Sequence, residues 1–323
     1  MSFPVRALIL KHMTDSSLTI GIDFGGTTVK IAVVQESQII DHAPPIATQE
    51  FEGHEDLVDA MVHTVENLRA RHPGVAAVGV GMPGFVDFEK GLVYGLTNVR
   101  GWEKVALKRI LEGRIGLPVL VDNDANCMAY AEWKCGVGRD LQHVVFISLG
   151  TGVGGGIIAN GQMVRGAFHG AGEIGQTSID YQGHAGHYGN FGALEDYVGN
   201  NEITARARDR YTAAGISKPL DQCTPAALAA AAQNGDSIAA AQWEEVGRIL
   251  ATAAMNCCWL LNPQAIVLGG GVARAGDLLF TPFKKHLFAQ LSGPFKDHLL
   301  ILSAAFGHEA GVIGAAALAR EAL

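Results

Sequence analysis

The feature that most constrains this fold is a pattern that occurs twice: an apolar strand, a tight turn rich in glycine and threonine, and a second strand. The first copy consists of residues 18–22, 23–28 and 30–34, and the second of residues 144–149, 150–156 and 156–159. The second copy ends at Asn160-Gly161, and an Asn-Gly pair beside apolar runs is a strong indication of a hairpin. The sequence therefore predicts two α/β domains of similar structure, with a break near residues 122–140.

Strands alternate with helices between the two copies and after the second one. The apolar spacing predicts helices at 55–71, 103–111, 194–214, 225–233 and 237–261, a helix ending near 291, and a last helix at 309–322. Further strands are predicted at 75–80, 118–121, 265–268 and 299–302. This alternation is typical of an α/β fold with largely parallel sheets.

Composition excludes several classes of protein. The chain has 323 residues with 24 basic and 32 acidic side chains, a formal net charge of −8. Because no surplus of lysine and arginine is present to neutralise phosphates, we expect neither nucleic acid nor an anionic membrane as a main partner. No run approaches the roughly 18 apolar residues of a membrane span. The five cysteines include no Cys-x-x-Cys pair, which favours reduced thiols and a cytoplasmic protein.

The second glycine-rich turn matches the dinucleotide fingerprint G-x-G-x-x-G at residues 150–155. That fingerprint needs a helix after the turn, whereas here a strand and a hairpin follow, so we reject the NAD interpretation. The dipeptide Gly-Lys does not occur, which excludes a P-loop. Two turns that could hold phosphate groups on their backbone amides remain. The alternative is that they are ordinary hairpin turns.

Polar residues follow the predicted strands. Asp122, Asn123 and Asp124 come directly after the strand at 118–121, and ligands in α/β sheets bind at such strand ends. Alternatively, Asn123 or Asp124 caps a helix. Glu173 lies in a glycine-rich loop, which favours ligand contact, while Glu195 is either a second ligand-binding carboxylate or an acid in the first turn of a helix.

A series of ordered motifs resembles the ROK family of the actin/hexokinase/Hsp70 ATPase superfamily. These motifs lie at residues 23–30, 81–84, 97–102, 122–126, 149–156, 171–175, 268–271 and 309–315. The resemblance implies two actin-like (ribonuclease H-like) α/β domains that flank a central cleft. It places the N-terminal domain at residues 1–122 plus about 308–323 and the C-terminal domain at residues 123–307.

The kinases of this family transfer the γ-phosphoryl group of ATP to a hexose, usually at the 6-hydroxyl. The resemblance therefore implies a glucokinase-like enzyme with ATP and Mg²⁺, and glucose is the leading substrate. Other hexoses, N-acetylhexosamines, and polyphosphate as the donor stay open. Family members are often dimers, which implies a homodimer here.

A transcriptional repressor and a catalytically inactive sugar sensor are the alternatives to a kinase. ROK-type repressors carry a helix-turn-helix before the sugar-binding fold, and only 22 residues precede Asp23 here. The acidic balance also opposes DNA binding. A catalytically inactive sugar sensor is opposed by the presence of Asp23, Asp124 and both glycine-rich turns.

The resemblance also assigns roles to residues. Asp124 would be the base that accepts the proton of the 6-hydroxyl, and Asp23 would help to hold Mg²⁺ through water. The nucleotide would be bound by Gly25, Gly26, Thr27, Lys30, Thr151, Gly152, Gly269 and Gly270. The sugar would be bound by Gly84, Asn98, Asn123, Asp124, Glu173, Gln176 and Glu195.

The sequence departs from the family at its structural zinc site. The family commonly supplies one histidine and three cysteines, and the corresponding positions here are Gln176, Gly186, Tyr188 and Ala193. His184 and His187 lie nearby, but two histidines without cysteine partners do not make a tetrahedral site. We therefore expect no zinc, and we expect Gln176 to contact the sugar instead. The loop would be held by apolar packing of Tyr181, Tyr188, Phe191 and Leu194.

Overall fold

The structure is a computed structural model that describes residues 17–96 and 99–323. Its first half contains strands β1 (Leu18–Phe24), β2 (Thr28–Gln35), β3 (Gln38–His42), β4 (Ile46–Ala47), β5 (Val75–Met82), β6 (Val86–Asp87), β7 (Leu92–Val93) and β8 (Val119–Asn123). The helices of this half are α1 (His54–Arg71), α2 (Leu107–Ile115) and α3 (Asp124–Lys134). The main sheet has the order β3-β2-β1-β5-β8 with β4 beside β2, and β6 and β7 form a separate hairpin.

The second half repeats this plan. Its strands are β9 (Val144–Leu149), β10 (Val153–Ala159), β11 (Gln162–Met163), β12 (Ala265–Gly269) and β13 (Leu300–Ser303), in the sheet order β11-β10-β9-β12-β13. Its helices are α4 (Glu195–Val198), α5 (Asn200–Ala213), α6 (Pro225–Gln233), α7 (Ser237–Leu261), α8 (Asp277–Ala289), α9 (Pro294–His298) and α10 (Ala310–Ala319). In both sheets an antiparallel pair is extended by parallel strands. The predicted α/β class with two similar sheets is confirmed.

Helix α10 lies between the first sheet and helix α3. All ten of its residues are buried, as expected for a helix that is apolar on every side. It packs on β1, β5 and α3, and α3 in turn packs on β10 of the second sheet. Glycine permits the close approach: a Cβ atom on Gly79 would lie 1.8 Å from the carbonyl oxygen of Ala315, and one on Gly314 would lie 1.7 Å from that of Cys127.

Two predicted helices differ from those observed. Helix α2 begins at Leu107 rather than at 103, because Val105 is paired with Val93 by two backbone hydrogen bonds of 2.9 Å. The predicted helix at 194–214 is broken into α4 and α5 at Gly199, whose backbone is extended (ψ 158°). Before α2, pairing with a distant strand thus overrides the local preference for a helix. At Gly199, the change in backbone direction ends one helix and begins the next.

The predicted division of the chain into two domains remains a proposal. The packing of α10 on β1 and β5 supports assigning the C-terminal segment to the N-terminal domain. Helix α3 begins at the proposed boundary and contacts strands of both sheets, β5 and β8 of the first and β9 and β10 of the second. We therefore propose that α3 and α10 form the connection between the two domains.

The sequence favours reduced cysteines and predicts no membrane span. No disulfide joins any of the five cysteines, all of which lie among the described residues. Across residues 17–96 and 99–323, no helix combines the length and apolar character needed to cross a bilayer.

The packing of α10 gives a prediction about stability. We expect Gly79→Ala to lower the free energy of unfolding by about 3 kcal/mol or more, because the new methyl group would overlap the backbone of α10. Gly113→Ala is the matched control: Gly113 lies inside α2, and beyond its chain neighbours and the backbone of its own helix no atom lies within 4 Å of the added methyl group. That change should stabilise the protein by roughly 0.5–1 kcal/mol. Urea unfolding of both variants measures the difference, and equal stabilities would contradict the packing argument.

Candidate functional site

The N-terminus of α3 carries the first predicted group. Asn123 is its N-cap, and the side-chain oxygen accepts a hydrogen bond of 3.1 Å from the backbone N–H of Asn126. The capping alternative is therefore correct for Asn123. Asp124 lies one residue further along, half-buried, and its carboxylate accepts a hydrogen bond of 2.8 Å from the backbone N–H of Ala125. Because Asn123 serves as the cap, Asp124 is available for another role.

The electrostatic surroundings of Asp124 suit a base. Removal of its carboxyl group from water raises its pKa to about 7, against the opposing hydrogen bond from Ala125. The negative charges of Asp23 and Glu173 contribute to this increase. Carboxylates from β1 and from the loop after β11 therefore act on the carboxyl group at the start of α3. An acid with a pKa near the working pH is well placed to exchange a proton.

Asp23 lies at the end of β1, 8% exposed, against the first turn of α10. The contact is close, since a Cβ atom on Gly311 would lie 2.5 Å from its carboxyl carbon. Burial raises the pKa of Asp23, and the ammonium group of Lys30, 3.9 Å away, acts in the opposite direction. Lys30 also donates a hydrogen bond of 3.3 Å to the backbone oxygen of His308. The predicted cofactor residues Asp23 and Lys30 thus form one pair.

The first glycine-rich turn joins β1 to β2. Gly25 donates a backbone hydrogen bond of 2.9 Å to the oxygen of Thr28, which closes the turn. Thr48 supports it from outside, through a backbone bond of 3.0 Å to Thr27 and a hydroxyl bond of 3.3 Å to the oxygen of Gly26. Gly26 and Thr27 are exposed at the tip. The turn is therefore fixed at its base and accessible at its tip.

The second turn joins β9 to β10 and is closed by a hydrogen bond of 2.9 Å from Gly150 to Gly152. Thr151 is exposed at its tip. The carboxylate of Glu195 lies directly against this turn and accepts a hydrogen bond of 2.9 Å from the backbone N–H of Val153. A Cβ atom on Gly152 would lie 2.2 Å from that carboxylate, so a side chain there would displace Glu195 from the turn.

Gly269 is the last residue of β12, and Gly270 follows it. Gly270 adopts φ +83°, and a Cβ atom there would lie 2.3 Å from the backbone oxygen of Leu149. Glycine is thus needed for the close contact between this segment and the strand that leads into the second turn. Beside it lies a cavity of about 530 Å³. Its lining includes Asn200, Ala226, Ala229, Ala230, Gly271 and Arg274.

The predicted sugar-binding residues of the second half lie together. The side-chain amide of Gln176 donates a hydrogen bond of 3.4 Å to Glu195. Desolvation, together with the charge of Glu195, raises the pKa of Glu173. From the first half, Gly84 accepts a hydrogen bond of 3.0 Å from the side chain of Asn123. Asn98, also predicted, lies outside the described residues.

One buried pair at this site was not predicted. Asp122 is 3% exposed, and one of its carboxylate oxygens lies 2.9 Å from Nε and 2.7 Å from Nη2 of Arg165. In the sequence, Asp122 stands out only as a part of the motif at 122–126. Nothing near it in the chain indicates its partner, which lies 43 residues later.

The loop between Glu173 and Glu195 is not held in the predicted way. Tyr181, Tyr188 and Phe191 are 82%, 64% and 53% exposed, so the prediction that they pack the loop is wrong, and Leu194 is the buried member of that set. Polar bonds close the loop instead, because a short glycine-rich segment offers little apolar surface to bury. These bonds include Ile179 to Gly192 at 2.8 Å, Gly192 to His184 at 2.7 Å, and the Asn190 side chain to Gln176 at 2.7 Å.

The chain is similar to known proteins over nearly its whole length. The model of the ROK family matches residues 19–322. The glucokinase of Streptomyces coelicolor is 35% identical over 319 residues, which cover 94% of this chain and 98% of that protein. A ROK family glucokinase from Streptomyces griseus, solved in complex with glucose and AMPPNP, has a TM-score of 0.79 and 33% identity, with 94% and 99% of the two chains covered. The Escherichia coli transcriptional dual regulator NagC is 29% identical, with 98% of this chain and 79% of that protein covered.

The raised pKa of Asp124 gives a prediction about stability and pH. The folded state binds this proton more tightly than the unfolded state, in which the carboxyl has its ordinary pKa of 3.8. The ionised group therefore destabilises the fold increasingly as the pH rises from about 4 to about 7. We expect Asp124→Asn to raise the melting temperature at about pH 8 and to change it little at about pH 4. Asp41→Asn is the control of opposite sign, because Arg71 lowers the pKa of Asp41 to about 2. A lower melting temperature of Asp124→Asn at about pH 8 would contradict the argument.

The altered loop gives a second prediction. The positions that the family resemblance assigns to zinc ligands hold Gln176, Gly186, Tyr188 and Ala193. No cluster of three or more His, Cys, Asp or Glu side chains suited to a metal occurs within residues 17–96 and 99–323. We expect tag-free protein, purified without chelator, to contain far less than one zinc per chain by elemental analysis. Zinc at one per chain, lost together with activity on chelation, is the opposite result.

Proposed function

The chain belongs to the ROK family, and on this basis we propose that it is an ATP-dependent sugar kinase that phosphorylates a hexose at the 6-hydroxyl, with glucose as the leading substrate. The observation that carries this proposal is the grouping of Asp23 and Glu173 around Asp124, whose pKa they raise, with Asp23 at the end of the strand that leads into the first glycine-rich turn. A phosphoryl transfer needs mainly positioning and neutralisation of charge, and these groups suit that chemistry.

The sugar is bound by donors and acceptors from both halves of the chain. Glu173 and Glu195 supply carboxylates that accept hydrogen bonds from hydroxyl groups, and Gln176 supplies both a donor and an acceptor. Asn123 and the segment at Gly84 approach from the first half, tied to each other by their hydrogen bond of 3.0 Å. Asn98 is retained in this set from the family resemblance.

The nucleotide is bound by the turns at Gly25–Thr27 and Thr151–Gly152, whose backbone amides suit phosphate oxygens. The adenosine occupies the cavity of about 530 Å³ beside Gly269 and Gly270, where the alanines of α6 offer an apolar wall. A cavity of this kind favours ATP over polyphosphate as the donor, because polyphosphate has no base to fill it.

Asp124 acts as the general base. Its carboxylate accepts the proton of the 6-hydroxyl as that oxygen attacks the γ-phosphorus, and the bond from phosphorus to the bridging oxygen of ADP breaks. The products are the hexose 6-phosphate and ADP, and the proton rests on Asp124 until water removes it. With a pKa of about 7, a large fraction of this group is ionised at neutral pH.

Magnesium is the expected counter-ion, and the residues present fit it. Hard cations prefer carboxylate oxygens, and Asp23 offers a nearly buried carboxylate whose charge raises the pKa of Asp124. We propose that Asp23 helps to hold Mg²⁺ through water. When bound, the ion neutralises part of the charge of the transferred phosphoryl group.

A sugar-responsive regulator is the second candidate, because NagC matches almost the whole chain. Such a regulator needs a sugar pocket and has no need of a base beside a phosphate turn. The grouping of Asp23 with Asp124 and the cavity beside Gly271 therefore favour the kinase. A homodimer and a cytoplasmic location, where ATP is available, are further proposals that follow from the family.

The activity is tested by ADP release from Mg-ATP with a panel of glucose, mannose, fructose, allose and N-acetylated hexosamines. We expect turnover with glucose, and we expect Asp124→Asn to lower kcat by about 10²–10⁴-fold, because the amide cannot accept the proton. Binding of glucose, measured by calorimetry, should survive the change. Near-parental turnover of the folded variant would contradict the role of Asp124, and no turnover of the parent on any sugar would contradict the kinase.

Glu173 gives a prediction about specificity. We expect Glu173→Ala to weaken glucose binding by roughly 1.5–3 kcal/mol, because a charged hydrogen-bond acceptor is lost. The affinity for ATP, measured without sugar, should barely change and serves as the internal control. Equal losses for ATP and glucose would show that Glu173 does not belong to the sugar side.

A further inference from the structure

The segment from Val164 to Glu173 leads from β11 to the sugar-binding carboxylate and contacts the first half of the chain on its way. Arg165, near its start, reaches the end of β8 and pairs with Asp122, with distances of 2.9 and 2.7 Å to one carboxylate oxygen. Its side chain is 18% exposed, and that of Asp122 is 4% exposed. The two groups therefore form a largely buried ion pair between the two halves.

The other carboxylate oxygen of Asp122 holds the beginning of α3. It accepts a hydrogen bond of 2.8 Å from the backbone N–H of Asn123 and one of 3.0 Å from the side-chain amide of Asn126. Asp122 thus contacts the N-cap residue and the first turn of the helix that carries Asp124. The positive charge of Arg165 balances the negative charge of the Asp122 carboxylate that accepts these hydrogen bonds.

Two more contacts fix this segment to the hairpin of β6 and β7. The guanidinium carbon of Arg165 lies 3.6 Å from the ring centroid of Phe88, so the cation is stacked on an aromatic face. Four residues later, His169 Nε2 lies 3.4 Å from a carboxylate oxygen of Asp87, which is 4% exposed. A planar guanidinium can pair and stack at the same time, which lysine cannot do equally well.

We infer that Arg165 is a positioning residue for the phosphoryl transfer: it couples the segment that carries Glu173 to the N-terminus of α3 and so sets the location of Asp124. This inference rests on the proposed function. Arg165 acts through Asp122 and touches none of the reacting atoms. Removal of the guanidinium leaves a buried carboxylate without its counter-charge two residues before Asp124, and α3 must shift or admit water to compensate.

The experiment compares three variants of the full chain. Arg165→Met keeps an unbranched apolar side chain as far as the position of Nε and removes the charge. Arg165→Lys keeps the charge but not the planar guanidinium group. Arg206→Met is the matched control, because Arg206 is likewise paired, with Glu245, and lies over an aromatic ring, Tyr197, at 5.4 Å, but all three residues belong to the second half. Steady-state kinetics give kcat and the KM values for glucose and ATP. Hydrogen exchange of peptides that span residues 120–134 reports on the start of α3 without requiring activity.

We expect Arg165→Met to lower kcat by about 10- to 100-fold, the effect of displacing a reacting group by about 1 Å, while the KM for ATP stays within about twofold. Hydrogen exchange over residues 120–134 should become faster. Arg165→Lys should recover part of the lost kcat and part of the protection from exchange, and Arg206→Met should match the parent.

If Arg165→Met does not fold, Arg165→Lys alone must show a lower kcat and faster exchange. Parental kcat, or parental exchange over 120–134, in the folded Arg165 variants overturns the inference. A parent without activity on any hexose contradicts the proposed function instead, and the exchange result still decides whether Arg165 holds α3.

Discussion

The contact between α10 and the two elements beside it determines where the site can form. Its backbone touches the backbone of the first sheet at Gly79, and it touches α3 at Gly314. A methyl group at either position would overlap the backbone of the neighbouring element, so the layers would have to separate. Because α3 is held at this distance, its N-terminus lies beside the end of β1, and Asp124 lies close enough to Asp23 for their charges to interact. The close packing at Gly79 and Gly314 thus allows the interaction between the charges of Asp23 and Asp124.

That arrangement opposes stability. The ionised form of Asp124 is disfavoured by burial first, and the nearby carboxylates of Asp23 and Glu173 disfavour it as well. Lys30 offsets only a part of this at Asp23. Groups strained in this way are common at catalytic sites, since a proton acceptor works best when its pKa is near the working pH. Burial of apolar side chains around both sheets offsets the unfavourable free energy of the buried carboxylates.

In the second half of the chain, polar bonds rather than aromatic packing hold the loop between Glu173 and Glu195. Glu195 supports the second glycine-rich turn through Val153 and contacts Gln176 at the same time. One carboxylate thus connects the turn proposed for phosphate with the loop proposed for sugar. Regulators and kinases share this fold, and fold alone does not decide between them. In this chain, the carboxylates of Asp23 and Asp124 and the cavity next to Gly271 favour the kinase.

Features that depend on near neighbours could be read from the sequence alone. They include the two strand-turn-strand units, helix α7 with its bounds, and the hairpin at Asn160-Gly161, where both residues have positive φ. Asn123 and Asp124 were also placed correctly at a strand end, because the polar residues follow an apolar run directly. Long-range packing settled three other points: Val105 pairs with a strand instead of entering α2, Tyr188 is exposed, and Arg165 pairs with Asp122. Local preference for a helix or a strand is set by residues a few positions apart. A buried ion pair such as Asp122–Arg165 depends instead on how the two sheets pack against each other, and no pattern of neighbouring residues specifies that packing.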